Sequence, residues 1–153
     1  MMDAQIVLAA REDMEEILKL QHLVFELEGR RVGVASMPAL VQDLAGIMEE
    51  FETGPIFKAV EGGKIIGSVR GRAQDGTFYI GKLMVHPEHQ KKGLGGKLMA
   101  AIEEYAAQPR FELFTPKVSA HNIRFYNNLG YRAFGEKRHE CGVDFVLMEK
   151  GKI

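Results

Sequence analysis

The stretch Val85-His86-Pro87-Glu88-His89-Gln90-Lys91-Lys92-Gly93-Leu94-Gly95-Gly96-Lys97-Leu98 decides how the chain is read. A β-rich run, Thr77 to Val85, comes directly before it, and behind it Leu94, Leu98, Ile102 and Tyr105 recur at helical spacing. The order is strand, glycine turn, helix. A helix start leaves about four backbone N–H groups without partners, and the aligned peptide dipoles add roughly half a positive charge there. Such an end holds anions. Gly93, Gly95 and Gly96 remove side chains that would keep a phosphate from the amides of residues 91–97. Lys82, Lys91, Lys92 and Lys97, with His86 and His89 nearby, supply local positive charge against one acid, Glu88. The remainder of the chain is therefore acidic on balance, because the net charge is only -1.

Two common phosphate loops do not fit. A Walker A loop needs Gly-Lys followed by Ser or Thr, and here Gly96-Lys97 is followed by Leu98. The dinucleotide fingerprint needs a third glycine where Leu98 stands. What remains, Gln90-Lys91-Lys92-Gly93-Leu94-Gly95, resembles the Gln/Arg-x-x-Gly-x-Gly/Ala loop of the GNAT N-acetyltransferase superfamily. Leu83-Met84-Val85-His86-Pro87 resembles that family's fourth strand and the turn after it. Ser119-Ala120-His121-Asn122-Ile123-Arg124-Phe125-Tyr126-Asn127-Asn128-Leu129-Gly130-Tyr131 resembles its second acetyl-CoA segment, and the element order fits nearly the whole chain.

Length and composition set the class. At 153 residues the chain reads as one domain, residues 1–153, with 46% hydrophobic and 27% charged residues, an ordinary globular balance. Its one cysteine, Cys141, cannot form an internal disulfide, which points to a reducing compartment. No run approaches the roughly 18 apolar residues of a membrane span, and residues 1–11 lack a secretion pattern, so the expectation is cytoplasmic. Near-neutral charge argues against extended nucleic-acid binding. No Cys or His cluster has metal spacing.

Along the chain, Gln5 to Ala9 has strand length. A helical period from Glu12 to about Leu27 predicts a first amphipathic helix, with acids Asp13, Glu15 and Glu16 in its first turn. Glu28 to Met37 has no clear period and reads as a loop. Pro38 suits a first turn, and Leu40, Leu44, Ile47, Met48 and Phe51 make the stripe of a second helix that ends at Gly54-Pro55. A meander follows: Ile56 to Glu61, Gly62-Gly63, Lys64 to Arg72, Gln74-Asp75-Gly76, Thr77 to Val85. Next come the helix Gly93 to Ala107 and the strand Phe111 to Thr115, which pairs parallel with the strand before the helix through a right-handed crossover. Ser119 is the expected N-cap of the helix carrying Asn122, Phe125, Tyr126 and Leu129, and Gly130 ends it. Tyr131 to His139 and Val143 to Glu149 close the chain as an antiparallel pair. The fold class is α/β (α+β): the GNAT fold, a mixed, mostly antiparallel sheet of about seven strands with helices on both faces.

The resemblance implies acetyl-CoA as cosubstrate, with no metal, and direct transfer of its acetyl group to an amine. It implies that the strands Thr77 to Val85 and Phe111 to Thr115 diverge, and that the pantetheine arm bonds the exposed backbone of Leu83, Met84 and Val85 as another strand would. The pyrophosphate would rest on residues 91–97 (Lys91, Lys92, Gly93, Leu94, Gly95, Gly96 and Lys97) with Gln90 beside them. Lys91 or Lys92 would reach the outer phosphate. It further implies that the Val85 N–H stabilises the oxyanion and that Tyr126 is the general acid, whose bland alternative is a core tyrosine. Asn122 then bonds the arm, braces the loop or caps the helix. Phe125 reads as packing, and His86 as shaping its turn.

The general base is not evident, since Phe78-Tyr79-Ile80-Gly81 offers no carboxylate where some members carry one. Glu26 and Glu28 are candidates on the acceptor side, for the base and for substrate binding; otherwise they are solvated surface acids. The acceptor amine, small molecule or peptide, stays open. Glu49, Glu50 and Glu52 with Glu26 and Glu28 suit a cationic amine, whereas Arg30 and Arg31 suit a carboxylate. A non-catalytic acyl-CoA sensor is the alternative function. A homodimer covering the sheet edges is the expected form of any self-association.

Overall fold

The computed structural model describes residues 4–32, 38–140 and 142–152; Cys141 and residues 33–37 of the expected loop lie outside them. Within the described residues β1 (Gln5–Leu8), β2 (Ile56–Glu61), β3 (Lys64–Gln74), β4 (Thr77–Val85), β5 (Arg110–Pro116), β6 (Arg132–Arg138) and β7 (Asp144–Gly151) form one sheet. Its order is β1-β2-β3-β4-β5-β7-β6. Every neighbouring pair is antiparallel except β4 and β5. The two tight hairpins turn at Gly62-Gly63, with φ of 58° and 79°, and at Asp75-Gly76, with φ of 49° and 82°. Two consecutive positive φ angles match the right-handed twist of the flanking strands, which is why glycine recurs there.

The helices are α1 (Met14–Val32), α2 (Pro38–Val41), α3 (Leu44–Thr53), α4 (Leu94–Tyr105) and α5 (Ala120–Asn128). Two apolar cores lie on opposite faces of the sheet. Leu98, Met99 and Ile102 of α4 pack on Phe78, Ile80, Phe111 and Leu113. Met14, Ile17 and Leu20 of α1 and Ile47 of α3 pack on Ile56, Ile65 and Met84. No helix among the described residues is long and apolar enough to cross a membrane.

Three local expectations need correction. The first helix does not end near Leu27 but runs to Val32, so Glu28 to Arg31 are helical rather than loop. Ion pairs one turn apart, Glu26 with Arg30 and Glu28 with Arg31, support the extra turn. The second helix is two: α2 ends at Val41, and Asp43 restarts the chain as N-cap of α3, its Oδ1 accepting from the Gly46 N–H at 2.9 Å. Ser119 stands at the N-cap of α5 without capping it, because its hydroxyl donates to Glu28 Oε1 at 3.1 Å.

The break at Gln42 serves a buried polar cluster. Arg70, on the β3 face below α1 and α3, is 4% exposed. Its Nη1 donates to Glu50 Oε1 at 2.9 Å and its Nη2 to Gln21 Oε1 at 2.7 Å, while Gln42 Nε2 donates to Glu50 Oε1 at 2.6 Å. Lys82 Nζ approaches the same carboxylate at 3.3 Å. Burial works to raise the Glu50 carboxyl, but the Gln42 hydrogen bond and the charges of Lys82 and Arg70 outweigh it and hold the group below its ordinary 4.5. A depressed folded value contributes stability that is complete above the ordinary value and fades as pH falls through the folded one. Glu50→Ala strands the Arg70 charge and should cost about 3 kcal/mol near neutral pH, the low end for a broken buried pair, because the Glu50 side chain is 35% exposed. Urea titrations of the two proteins should converge as pH falls below about 4.5. A gap that persisted there would assign the loss to packing instead of charge.

Candidate active site

Parallel pairing between β4 and β5 holds for Thr77↔Arg110, Phe78↔Phe111 and Tyr79↔Glu112, and then stops. The cause lies in β4. Lys82 has a φ of 51°, and Lys82 and Leu83 together face the single residue Val69 of β3. Such a bulge bends its strand, and past it β4 and β5 diverge around a cleft of about 1100 Å³.

The edge of β4 that faces this gap can be read from the ladder. The His86 N–H donates to the Ile66 carbonyl at 2.8 Å, and Val85 is paired with Gly67. Hydrogen-bonded and non-bonded pairs alternate in an antiparallel ladder, so the N–H and C=O of Val85 turn away from β3 and toward the gap. The Val85 carbonyl there accepts from Gln90 Nε2 at 2.9 Å, so the Gln90 side chain folds back onto β4. By the same alternation Met84 spends its backbone on Ser68, and its side chain is 2% exposed in the core. Of the three residues expected to present backbone here, Met84 thus belongs to the sheet. The Leu83 side chain packs toward α4 and α5.

At the head of α4, Lys91 and Gly93 have φ of 66° and 80°, and the Lys97 N–H returns to the Gly93 carbonyl at 3.2 Å. The amides of Leu94, Gly95 and Gly96 precede the first intrahelical donor, as at any helix start. Left-handed residues next to a helix start gather such amides into an anion-binding concavity. The glycines differ in their reasons. Gly93 takes a left-handed φ; a Cβ on Gly95 would stand 3.2 Å from the Phe125 ring; a Cβ on Gly96 would meet nothing within 4 Å. The space over Gly96 is open. Lys91 and Lys92 are exposed beside it, and His86 shapes the preceding turn by accepting the Glu88 N–H at 3.1 Å on Nδ1.

From α5, Asn122 does not cap. Its Nδ2 donates to Glu28 Oε1 at 3.2 Å and to Thr115 Oγ1 at 3.3 Å, tying α5 to α1 and β5. Tyr126 follows one turn later in the cleft wall, its ring 5.1 Å from that of Phe125. Burial, and then the negative charge of Glu28, push its phenol well above the ordinary tyrosine value. The hydroxyl stays protonated across neutral pH and is a donor there.

The two candidate carboxylates part company. Glu26 is 57% exposed and pairs with Arg30 at the surface. Glu28 is only 17% exposed; its Oε1 accepts from Ser119 and Asn122, while Oε2 lies 3.7 Å from Arg31. Nothing in the sequence separated them, because the deciding partners stand some ninety residues away on α5. Glu52 pairs with Arg11, away from the cleft lining. Sequence reasoning missed Arg70, and it named Lys82 and Glu50 only as charges, without the bulge at Lys82 or the pairing of Glu50 with Arg70. A lone lysine between Gly81 and Leu83 in an otherwise apolar strand was the available signal. Among the described residues no group of three or more His, Cys, Asp or Glu gathers as a metal site.

Comparisons with known proteins bear on the family and the fold. The family model described as an acetyltransferase (GNAT) domain matches residues 39–152. An uncharacterized N-acetyltransferase, YjcF, of Bacillus subtilis is 31% identical over 91 residues, which are 59% of this chain and 65% of that protein, just under two thirds of its length. Among solved structures, the PaiA N-acetyltransferase of Thermoplasma acidophilum in complex with coenzyme A superposes with a TM-score of 0.80 at 15% identity, covering 98% of this chain and 99% of that one. YncA of Salmonella typhimurium, a putative acetyltransferase with its cofactor acetyl-CoA, gives 0.77 at 19% identity over 99% and 95% of the two chains.

Proposed function

Since the chain belongs to the GNAT acetyltransferase family, we propose that it is an acetyl-CoA-dependent N-acetyltransferase, a single catalytic domain that moves the acetyl group directly from the thioester to an amine. One observation carries this: where the β4–β5 ladder ends, the Val85 N–H, the Tyr126 phenol and the amides at the head of α4 all border one cleft. Anion binding at one end and a donor pair at the other is what thioester aminolysis needs.

The chemistry assigns each residue a task. Amides of residues 94–96 hold the pyrophosphate, which fits the open space over Gly96. Val85 N–H donates to the oxygen that gains charge as the amine attacks the acetyl carbon. Tyr126 gives its proton to the departing thiolate, and its raised proton affinity keeps the hydroxyl protonated across neutral pH. Glu28, through Oε2, accepts the proton that the amine loses. Asn122 and Ser119 fix the carboxylate by occupying Oε1.

The reading is tested by isothermal calorimetry with acetyl-CoA and by thiol release across an amine panel. Tyr126→Phe should keep coenzyme affinity within a few-fold and cut turnover at least about tenfold. Equal loss of both, or of neither, would mean that the acid is misassigned. Coenzyme binding without release from any amine is the outcome expected of an acyl-CoA sensor.

A further inference from the structure

The acceptor side of the cleft has a charge pattern opposite to that of the chain. Its lining carries the cations Arg31, Arg70, Arg72, Lys82 and Lys137 against the carboxylates Glu28, Glu50 and Glu112, in a protein of net charge -1. Each of those carboxylates already has a cationic neighbour: Arg31 for Glu28, Arg70 and Lys82 for Glu50, and Arg110 for Glu112. Glu50 is one charge shared by two cations, so the floor of the cleft is left positive. Arg70 Nε is buried and has no hydrogen-bond partner among the described residues, a donor still to be satisfied. Lys82 also lines the cleft and is 25% exposed, its ammonium 3.3 Å from Glu50 Oε1. Walls of low polarity concentrate such a field.

Those walls have a shape as well. Gly81 lies in the floor, and a Cβ there would meet nothing within 4 Å. Across the gap Phe114 is 60% exposed, with its ring 5.0 Å from Phe145, and Arg72 stacks over Tyr79 at 4.9 Å. We infer that the acceptor is a small amine bearing a carboxylate and an apolar body, the carboxylate held by Lys82 and Arg72 and the body lying against Phe114. This rests on the acetyl-transfer reading and names its substrate class. A polycationic amine would meet like charge at every cation of this floor. The same positive field favours the neutral form of an arriving amine, which is the form that attacks.

The test uses phenylalanine, phenylalanine amide, phenethylamine and spermidine with acetyl-CoA, reading thiol release. The free acid should exceed the amide and the decarboxylated amine at least about tenfold in kcat/KM, with spermidine lowest. Lys82→Gln and Arg72→Gln should each shrink that preference several-fold while the coenzyme KM stays unchanged; Arg72 is exposed, so its variant does not depend on a refolded core. An amide, amine or spermidine that matches the acid overturns the inference, as does a preference that survives in both variants. Release from none of the four overturns it too. Calorimetry on the same sample then separates the failures: bound acetyl-CoA leaves the family chemistry standing, and unbound acetyl-CoA removes both.

Discussion

Gly96→Glu should lose about a hundredfold or more in coenzyme affinity, some 2.7 kcal/mol, while the protein stays folded and melts no lower than the parent. A carboxylate in the first turn of a helix is favoured by the dipole by roughly 0.3–1 kcal/mol. A Cβ at Gly96 meets nothing within 4 Å, so the backbone has no reason to move. The new side chain stabilises the helix and repels the anion that the helix would hold. The two effects have opposite signs, and this makes position 96 more informative than its neighbours. At Gly95 a Cβ would stand 3.2 Å from Phe125, and a loss of affinity there would mix packing with electrostatics. At Gly93 the φ of 80° penalises any side chain. Calorimetry with acetyl-CoA and a thermal melt on the same preparation decide the matter. Undiminished affinity would move the pyrophosphate away from α4.

Why that loop was legible while other parts were not follows from the range of the forces involved. The glycine turn, the hairpins at Gly62-Gly63 and Asp75-Gly76, and the stripes of α1 and α4 are set by neighbours within a few residues, so the sequence carries them directly. The parallel pairing of β4 with β5 follows from connection length and handedness. What stayed hidden depends on distant partners. Asp43 breaks a continuous apolar stripe because Gln42 has to meet Gln21, Arg70 and Glu50, which come from three other elements. Lys82 reads only as one more positive charge near the loop until the register with β3 shows two residues opposed by one. Glu28 looks like a solvated acid at a helix end until α5 delivers Ser119 and Asn122 to it. Alternation could have removed Met84 from the gap-facing set, since a strand cannot present consecutive residues to the same edge.

Glu28→Gln carries the other large effect, an expected fall of about 10²-fold to 10³-fold in kcat near neutral pH with coenzyme affinity unchanged. Glutamine is the informative replacement because its Oε1 can still accept from Ser119 and Asn122 at the distances now seen, 3.1 and 3.2 Å, so α1 and α5 keep their tie. Only the charge and the proton affinity go. The variant then depends on amine that arrives already neutral, and its rate should climb about tenfold per pH unit up to the pKa of the acceptor. The parent should rise less steeply over the same range. A second readout follows from the neighbouring phenol. Burial first and the Glu28 charge second hold Tyr126 above the ordinary value, so removing the charge should bring its ultraviolet ionisation to lower pH, still above that of a free tyrosine because burial remains. A merely structural Glu28 would leave the steepness of the rate profile unaltered. Turnover within about twofold of the parent, with an unchanged profile, would exclude Glu28 as the base and leave proton removal to solvent or to the acceptor itself.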